Sequence, residues 1–297
     1  MRILVTGEKG QLGSELRRIV AKGRSEVGPI AEVWQGAELE GVDLDRMDIS
    51  QWDSVQAWFA AHDPYDLVVN CAAMTNVDGC ETAEDVAFAA NAVGPYNLAR
   101  ACAEQGATLV HVSTDYVFPG TEESLRVETD PCAPASAYGR TKLAGEGLAL
   151  TNNPRTHVVR TAWLYGYEGR NFVKTMLALG EKHERVTVVN DQLGNPTSAN
   201  DLAHQILAIA ASDDFGIWHC TNEGVCSWAD FAEAIMQGAG LACEVVRCTS
   251  DEYAEAHPGT ARRPHFSALQ NAHLEATIGN QMRPWQDALA SYLENLS

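Results

Sequence analysis

Arg2-Ile3-Leu4-Val5-Thr6-Gly7-Glu8-Lys9-Gly10-Gln11-Leu12-Gly13 is the stretch that decides the fold. An apolar strand-like run ends in a turn with Gly at every third position, and a helical pattern begins near Gln11. Glycines at that spacing serve a tight turn, a backbone that can approach a pyrophosphate, and a helix packed closely on its strand. Phosphate would then meet the free N–H groups and positive dipole end of the helix. The blander reading is a Gly-rich strand-to-helix turn. Its position directly after the first strand favours a dinucleotide site with Gly7 at its start.

Working outward, short β-branched runs alternate with longer helical patterns, the signature of stacked βαβ units on a parallel sheet. The expected strands are 2–5, 67–71, 108–113, 157–163 and 185–189, and the expected helices 11–22, 50–61, 83–105, 136–150 and 171–179. The strands are nearly continuous apolar runs, as where helices cover both faces. The fold class is therefore α/β, a Rossmann-like doubly wound parallel sheet with a smaller C-terminal substrate domain. Both 30–34 and 39–44 fit the second strand; the later is preferred because Ser50 can then cap the next helix. Residues 1–165, with a return segment at about 184–215, read as the dinucleotide-binding domain. Residues 166–297 read as a smaller ligand-binding domain.

The chain has 297 residues, 21 Lys plus Arg against 40 Asp plus Glu, and a formal charge of -19. That balance argues against broad nucleic-acid binding, which needs a basic face. No apolar run reaches the length of a membrane span. Met1 is followed at once by strand-like residues, so no secretory leader is expected, and the cytoplasm is the expected compartment. Eight cysteines show no C-x-x-C pair and read as small core residues, with neither a zinc site nor a disulfide framework.

An acid for the adenosine ribose is expected about 20 residues past the glycines. Asp43 and Asp45 are candidates, placed late by an apparent insertion. Lys9 and Arg46 could meet a 2′-phosphate or be solvated charges, so NADH and NADPH both stay open. Asn70-Cys71-Ala72-Ala73-Met74-Thr75 ends the third strand with small side chains that could run under a cofactor.

The chemistry lies in Val112-Ser113-Thr114-Asp115-Tyr116-Val117-Phe118 and Ala137-Tyr138-Gly139-Arg140-Thr141-Lys142. Tyr138 and Lys142, at i and i+4, share a helix face. A free phenol has a pKa of about 10, and easy proton exchange at neutral pH needs about 3 to 4 kcal/mol of extra phenolate stabilisation. The Lys142 ammonium and an oxidised nicotinamide could supply it. Thr114 could hold the same carbonyl oxygen against the phenol. Such a set serves hydride transfer to or from a carbonyl. No H-E-x-x-H helix or G-x-S-x-G elbow is present. His111, in an apolar strand, reads as a core histidine. Arg262-Arg263 could clamp a diphosphate or form a structural ion pair. Trp163 is either core or a flat wall for a sugar.

Together these residues resemble the extended short-chain dehydrogenase/reductases, and within them the branch that reduces a dTDP-4-dehydro sugar. The likeness runs from T-G-E-K-G-Q-L-G through V-V-N-C-A-A-M-T-N-V-D, V-S-T-D-Y-V-F-P-G, Y-G-R-T-K-L-A-G-E, R-T-A-W-L-Y-G, N-D-Q-L-G-N-P-T and A-R-R-P-H-F-S to R-P-W-Q-D-A-L. It implies NADPH- or NADH-dependent reduction of the C4 ketone of dTDP-4-dehydro-L-rhamnose. By matched motif, Gly10, Gln11 and Leu12 would hold the pyrophosphate, Asp48 and Ile49 would lie beside the adenine, and Ala73, Met74 and Thr75 would flank the cofactor. Tyr138 would donate the proton with Lys142 as partner. Thr114, Asp115 and Trp163 would contact the dTDP-sugar, with Arg262 and Arg263 on its diphosphate. Members are also described as Mg2+-linked dimers; the residues themselves leave monomer or homodimer open and point to no metal ligands. The departures are Cys71, where similar proteins have Ala, and the long segment before Asp43. Two alternatives share the fold: a non-catalytic regulatory subunit of methionine adenosyltransferase, and a nucleotide-sugar epimerase or dehydratase.

Overall fold

A computed structural model describes residues 1–257, 261 and 263–296. In chain order its main elements are β1 (Arg2–Thr6), α1 (Gln11–Lys22), β2 (Glu38–Val42), α2 (Trp52–Ala61), β3 (Leu67–Asn70), α3 (Gly94–Gln105), β4 (Thr108–Thr114), α4 (Ala137–Asn152), β5 (Thr156–Thr161), α5 (Phe172–Gly180), β6 (Arg185–Val189), α6 (Ala199–Ala210), β7 (Gly216–His219), α7 (Trp228–Gly238), β8 (Glu244–Cys248) and α8 (Trp285–Leu296). Six strands form one parallel sheet in the order β7-β5-β4-β3-β1-β2. The chain reverses direction across the sheet between β1 and β3, and a ligand crevice opens at the carboxyl ends of strands at such a switch point.

Apolar side chains on both faces of the strands explain the two helical layers. Ile3, Val5, Leu67 and Val69 face Leu12, Leu16 and Ile19 of α1 together with Leu202 and Ile206 of α6. Leu4, Val68 and Leu109 face Val55 and Phe59 of α2 and Leu98 and Cys102 of α3. Truncating a fully buried Leu such as Leu16 would cost about 2 to 5 kcal/mol. A third apolar cluster gathers Val173, Val186, Phe231, Trp285 and Tyr292 from the C-terminal elements.

Three expectations need correction. The strand at 185–189 leaves the main sheet and pairs in parallel with β8. Its exposure alternates, Arg185 and Thr187 outward and Val186 and Val188 inward, which suits a sheet solvated on one face. The edge beside β5 is taken instead by β7, in parallel. Ser50 is not the cap of α2: Gln51 holds that position, because the Ser50 hydroxyl and amide both bond Asp48 Oδ1, at 2.7 and 3.0 Å. The helix at 83–105 is interrupted by a π-helical turn at Ala89–Val93. There the buried Asn91 side chain bonds both the N–H and the C=O of Met74, at 2.8 and 3.0 Å, pinning the loop after β3.

Candidate active site

A cleft of about 1010 Å³ opens over the carboxyl ends of the central strands. Its floor is the glycine loop. Gly7 adopts φ +70°, and a Cβ there would sit 2.9 Å from the Ala72 nitrogen. A Cβ on Gly13 would sit 2.3 Å from the Gly7 oxygen. These two positions admit no side chain, so β1, β3 and α1 converge as a dinucleotide cradle requires. Gly10 precedes α1 and offers no side-chain cap, which leaves the first-turn N–H groups without intrahelical acceptors. Gln11 Oε1 is buried there without a hydrogen bond. An anion-accepting helix end bedded between backbone segments fits a dinucleotide.

Along this floor, Gln11, Leu12, Asp48, Ile49, Ala73, Met74 and Thr75 all line the cleft with Gly7 and Gly10. Ile49 is buried and packs where Gly94 leaves space, a Cβ there falling 2.6 Å from Ile49 Cδ1. Asp48 reaches the cleft edge with one oxygen engaged by Ser50.

Opposite lies the candidate proton donor. Ser136 caps α4, its hydroxyl accepting the Gly139 N–H at 3.1 Å, so Tyr138 falls in the first turn. Gly139 lets that turn press on the segment after β4, since a Cβ would lie 2.2 Å from the Tyr116 oxygen. Tyr138 thereby comes beside the Thr114 hydroxyl and packs edge-on to Tyr116. One turn along, Lys142 is buried, and its Nζ donates to the Val112 carbonyl at 2.6 Å. Glu146, a further turn on, ties α4 to β4 and β5. It accepts from Ser113 Oγ at 2.5 Å and from Arg160 Nε at 2.9 Å. Breaking a buried pair of this kind costs about 3 to 5 kcal/mol.

The electrostatics follow from burial. Desolvation raises the Tyr138 phenol above its ordinary value, partly offset by the Thr114 hydroxyl beside it, so the protein alone keeps it protonated. The lowered phenol expected from the sequence does not arise without a bound oxidised nicotinamide. Burial also lowers Lys142 to about 8, which leaves it cationic at neutral pH. His111 is fully buried, accepts from Asn70 Nδ2 at 3.1 Å and lies 3.5 Å from Lys142 Nζ. Burial and then Lys142 hold it well below its ordinary value, and so neutral. Asp115 accepts from Thr114 Oγ1 at 2.9 Å while its Oδ2 is buried without a partner. Burial raises its carboxyl to about 6, opposed by the neighbouring Ser267 and Thr114 hydroxyls.

Trp163 closes the cleft at the end of β5. Its φ of +45° is the one left-handed conformation of a non-glycine residue among the described residues, a strain that needs support from the surroundings. Trp228 supplies it by stacking 3.6 Å away and 6° from parallel, and Gly194 leaves room behind the indole. Trp228 opens α7, which Ser227 and Asp230 fix with reciprocal capping bonds. Trp228 lines the cleft from a segment whose sequence carries no motif that marks it as part of the site. Ser267 and the cleft-lining Arg170 were also missed; neither belongs to a motif with an independent chemical signature. Arg263 forms an ion pair with Asp78 at 3.3 Å and lies near the Tyr116 phenol. Arg262 lies outside the described residues.

A family model, the RmlD substrate binding domain, matches residues 1–297. The chain belongs to this family. Among RmlD-family relatives, the dTDP-4-dehydrorhamnose reductase of Mycobacterium tuberculosis is 41% identical over 98% of this chain and 92% of its own. The crystal structure of a dTDP-4-dehydrorhamnose reductase from Clostridium acetobutylicum is 42% identical, covers 100% of this chain and 99% of its own, and superposes with a TM-score of 0.91. That of dTDP-4-dehydrorhamnose reductase from Bacillus anthracis, in complex with NADP, is 34% identical over 99% of each chain with a TM-score of 0.90.

Proposed function

We propose that this protein reduces the C4 ketone of dTDP-4-dehydro-β-L-rhamnose to give dTDP-β-L-rhamnose, with NADPH or NADH as cofactor. The observation that carries the reading is the convergence of Thr114, Tyr138 and Lys142 across one cleft from a glycine cradle that excludes every side chain at Gly7 and Gly13. A nicotinamide dinucleotide, when bound, supplies the hydride. Gly10, Gln11 and Leu12 hold its pyrophosphate through backbone N–H groups. Asp48 and Ile49 border the adenine; Ala73, Met74 and Thr75 border the remainder.

Thr114 and Tyr138 hold the ketone oxygen. As negative charge grows there, the Tyr138 O–H bond breaks and its proton passes to that oxygen, leaving a phenolate that the Lys142 ammonium stabilises. A phenol held protonated by burial starts in the state this direction of reaction consumes. Such a proton transfer contributes roughly 10²- to 10⁴-fold. Asp115 and Trp163 position the sugar, and Arg262 and Arg263 serve its diphosphate, Arg263 exchanging its bond to Asp78.

Residues 1–165 with α6 form the dinucleotide-binding unit and the rest of 166–297 the sugar-nucleotide unit, with β6 packed in the second unit and β7 lent to the first unit's sheet. The protein works in the cytoplasm as a monomer or homodimer. Its eight cysteines form no disulfide, as a reducing compartment favours, and among the described residues no helix is long and apolar enough to cross a membrane. Among the same residues no group of three His, Cys, Asp or Glu side chains could hold a metal. The complete Thr114, Tyr138 and Lys142 set speaks for catalysis over a purely regulatory subunit. Incubation with dTDP-4-dehydro-L-rhamnose and each reduced dinucleotide tests the reading: cofactor oxidation with equimolar dTDP-L-rhamnose is expected. Absence of oxidation with both would overturn it.

A further inference from the structure

The corner of the cleft that would receive the adenosine ribose is built from the end of β2. Thr6 pairs with Val42 across the sheet, and the Gly7 N–H bonds the Val42 carbonyl at 2.9 Å, so the next residue, Asp43, is set at the lip of the glycine loop. Asp43 lines the cleft. Its Oδ1 accepts the Lys9 backbone N–H at 3.5 Å. Its Oδ2 is buried without a hydrogen bond, with Lys9 Nζ 3.4 Å away. In sequence this acid stands 30 positions past Gly13, later than the spacing rule allows. The structure absorbs the excess between α1 and β2, where the short helical turn Glu32–Trp34 docks through a Trp34 indole bond to the Leu207 carbonyl at 2.8 Å. Asp43 therefore reaches the usual place of the ribose acid by a longer path.

The cations around it are already engaged. Lys9 Nζ lies between Asp43 and Asp45, at 3.4 and 3.3 Å. Arg17 pairs with Glu8 at 3.4 Å, whose carboxylate occupies the space beside Gly41, within 2.0 Å of where a Cβ would stand. Arg46 donates to the Gly41 carbonyl at 3.2 Å and lies over the Trp58 ring. Asp43 thus faces this corner with Glu8 and Asp45 nearby, and Lys9, Arg17 and Arg46 are each turned to a carboxylate, a carbonyl or a ring.

Resting on the dinucleotide reading above, we infer that Asp43 makes this protein bind NADH in preference to NADPH. The carboxylate accepts a hydrogen bond from the ribose 2′-hydroxyl. A 2′-phosphate, carrying about -1.5 to -2 charge, would instead confront Asp43 and draw Lys9 away from two carboxylates.

Tryptophan fluorescence titration of the protein with NADH and, separately, NADPH at low ionic strength tests this without turnover. The expected result is a Kd for NADH at least about tenfold below that for NADPH. In Asp43→Asn, NADH should weaken and NADPH tighten as one of the two carboxylate charges on Lys9 is removed, bringing the ratio near or below one. Equal or tighter NADPH binding by the unaltered protein would overturn the inference, as would an unchanged ratio in the variant. Should neither dinucleotide bind, the proposed function falls with it, whereas a preference for NADPH removes this inference alone.

Discussion

At the residue scale, two buried groups carry the proposed chemistry, and they are shifted in opposite senses from their ordinary values. Burial keeps Tyr138 protonated and lowers Lys142 to about 8. Lys142 is charged below that value and neutral above it, so support for the phenolate is present at neutral pH and fades as pH rises through about 8. The expected pH profile of kcat/KM is thus a decline centred near pH 8; a profile flat to pH 10 would show that the ammonium is not needed. Tyr138, Lys142 and Thr114 were legible in sequence because their spacing is set by one helical turn and one strand end. The direction of the phenol shift was not, since it depends on how completely three separate elements exclude water. Arg263 shows the same limit: a basic doublet announces charge, but its partner Asp78 lies 185 positions away.

At the element scale, the glycine loop, the central strands and α4 could be read from apolar runs and turn chemistry. The misplacements have local causes. Arg185-Val186-Thr187-Val188 alternates outward and inward, a pattern for a one-sided sheet that was read as a central strand, while β7 is too short to stand out in sequence. Ser50 looked like a cap, but Asp48 claims its hydroxyl. The stacked Trp163 and Trp228 pair was beyond reach because β5 and α7 meet only in the folded chain. Stacking of this kind contributes about 0.5 to 1.5 kcal/mol. Trp228→Ala should therefore raise the KM for the sugar nucleotide about two- to tenfold with little change in kcat, and Trp228→Phe should restore most of it. A loss confined to kcat would contradict the role of Trp228 in holding Trp163.

On the scale of the whole molecule, a chain of formal charge -19 takes anionic ligands into a pocket whose positive features are local: a helix end, Lys142 and Arg170. Local attraction acts at contact distance, while the net field acts over the Debye length, about 30 Å at 0.01 M and 8 Å at 0.15 M salt. Added salt should therefore raise kcat/KM for the sugar nucleotide over that range, contrary to an enzyme that steers its substrate electrostatically. A steady fall with salt would mean that the cleft's own potential dominates at long range.

Single-turnover reduction by Tyr138→Phe tests most directly the proposal that Tyr138 delivers the proton to the C4 oxygen. The rate is expected to be at least about 100-fold lower, with dinucleotide Kd within about twofold of the unaltered protein. A Tyr138→Phe protein that reduces dTDP-4-dehydro-L-rhamnose at the unaltered rate would contradict it.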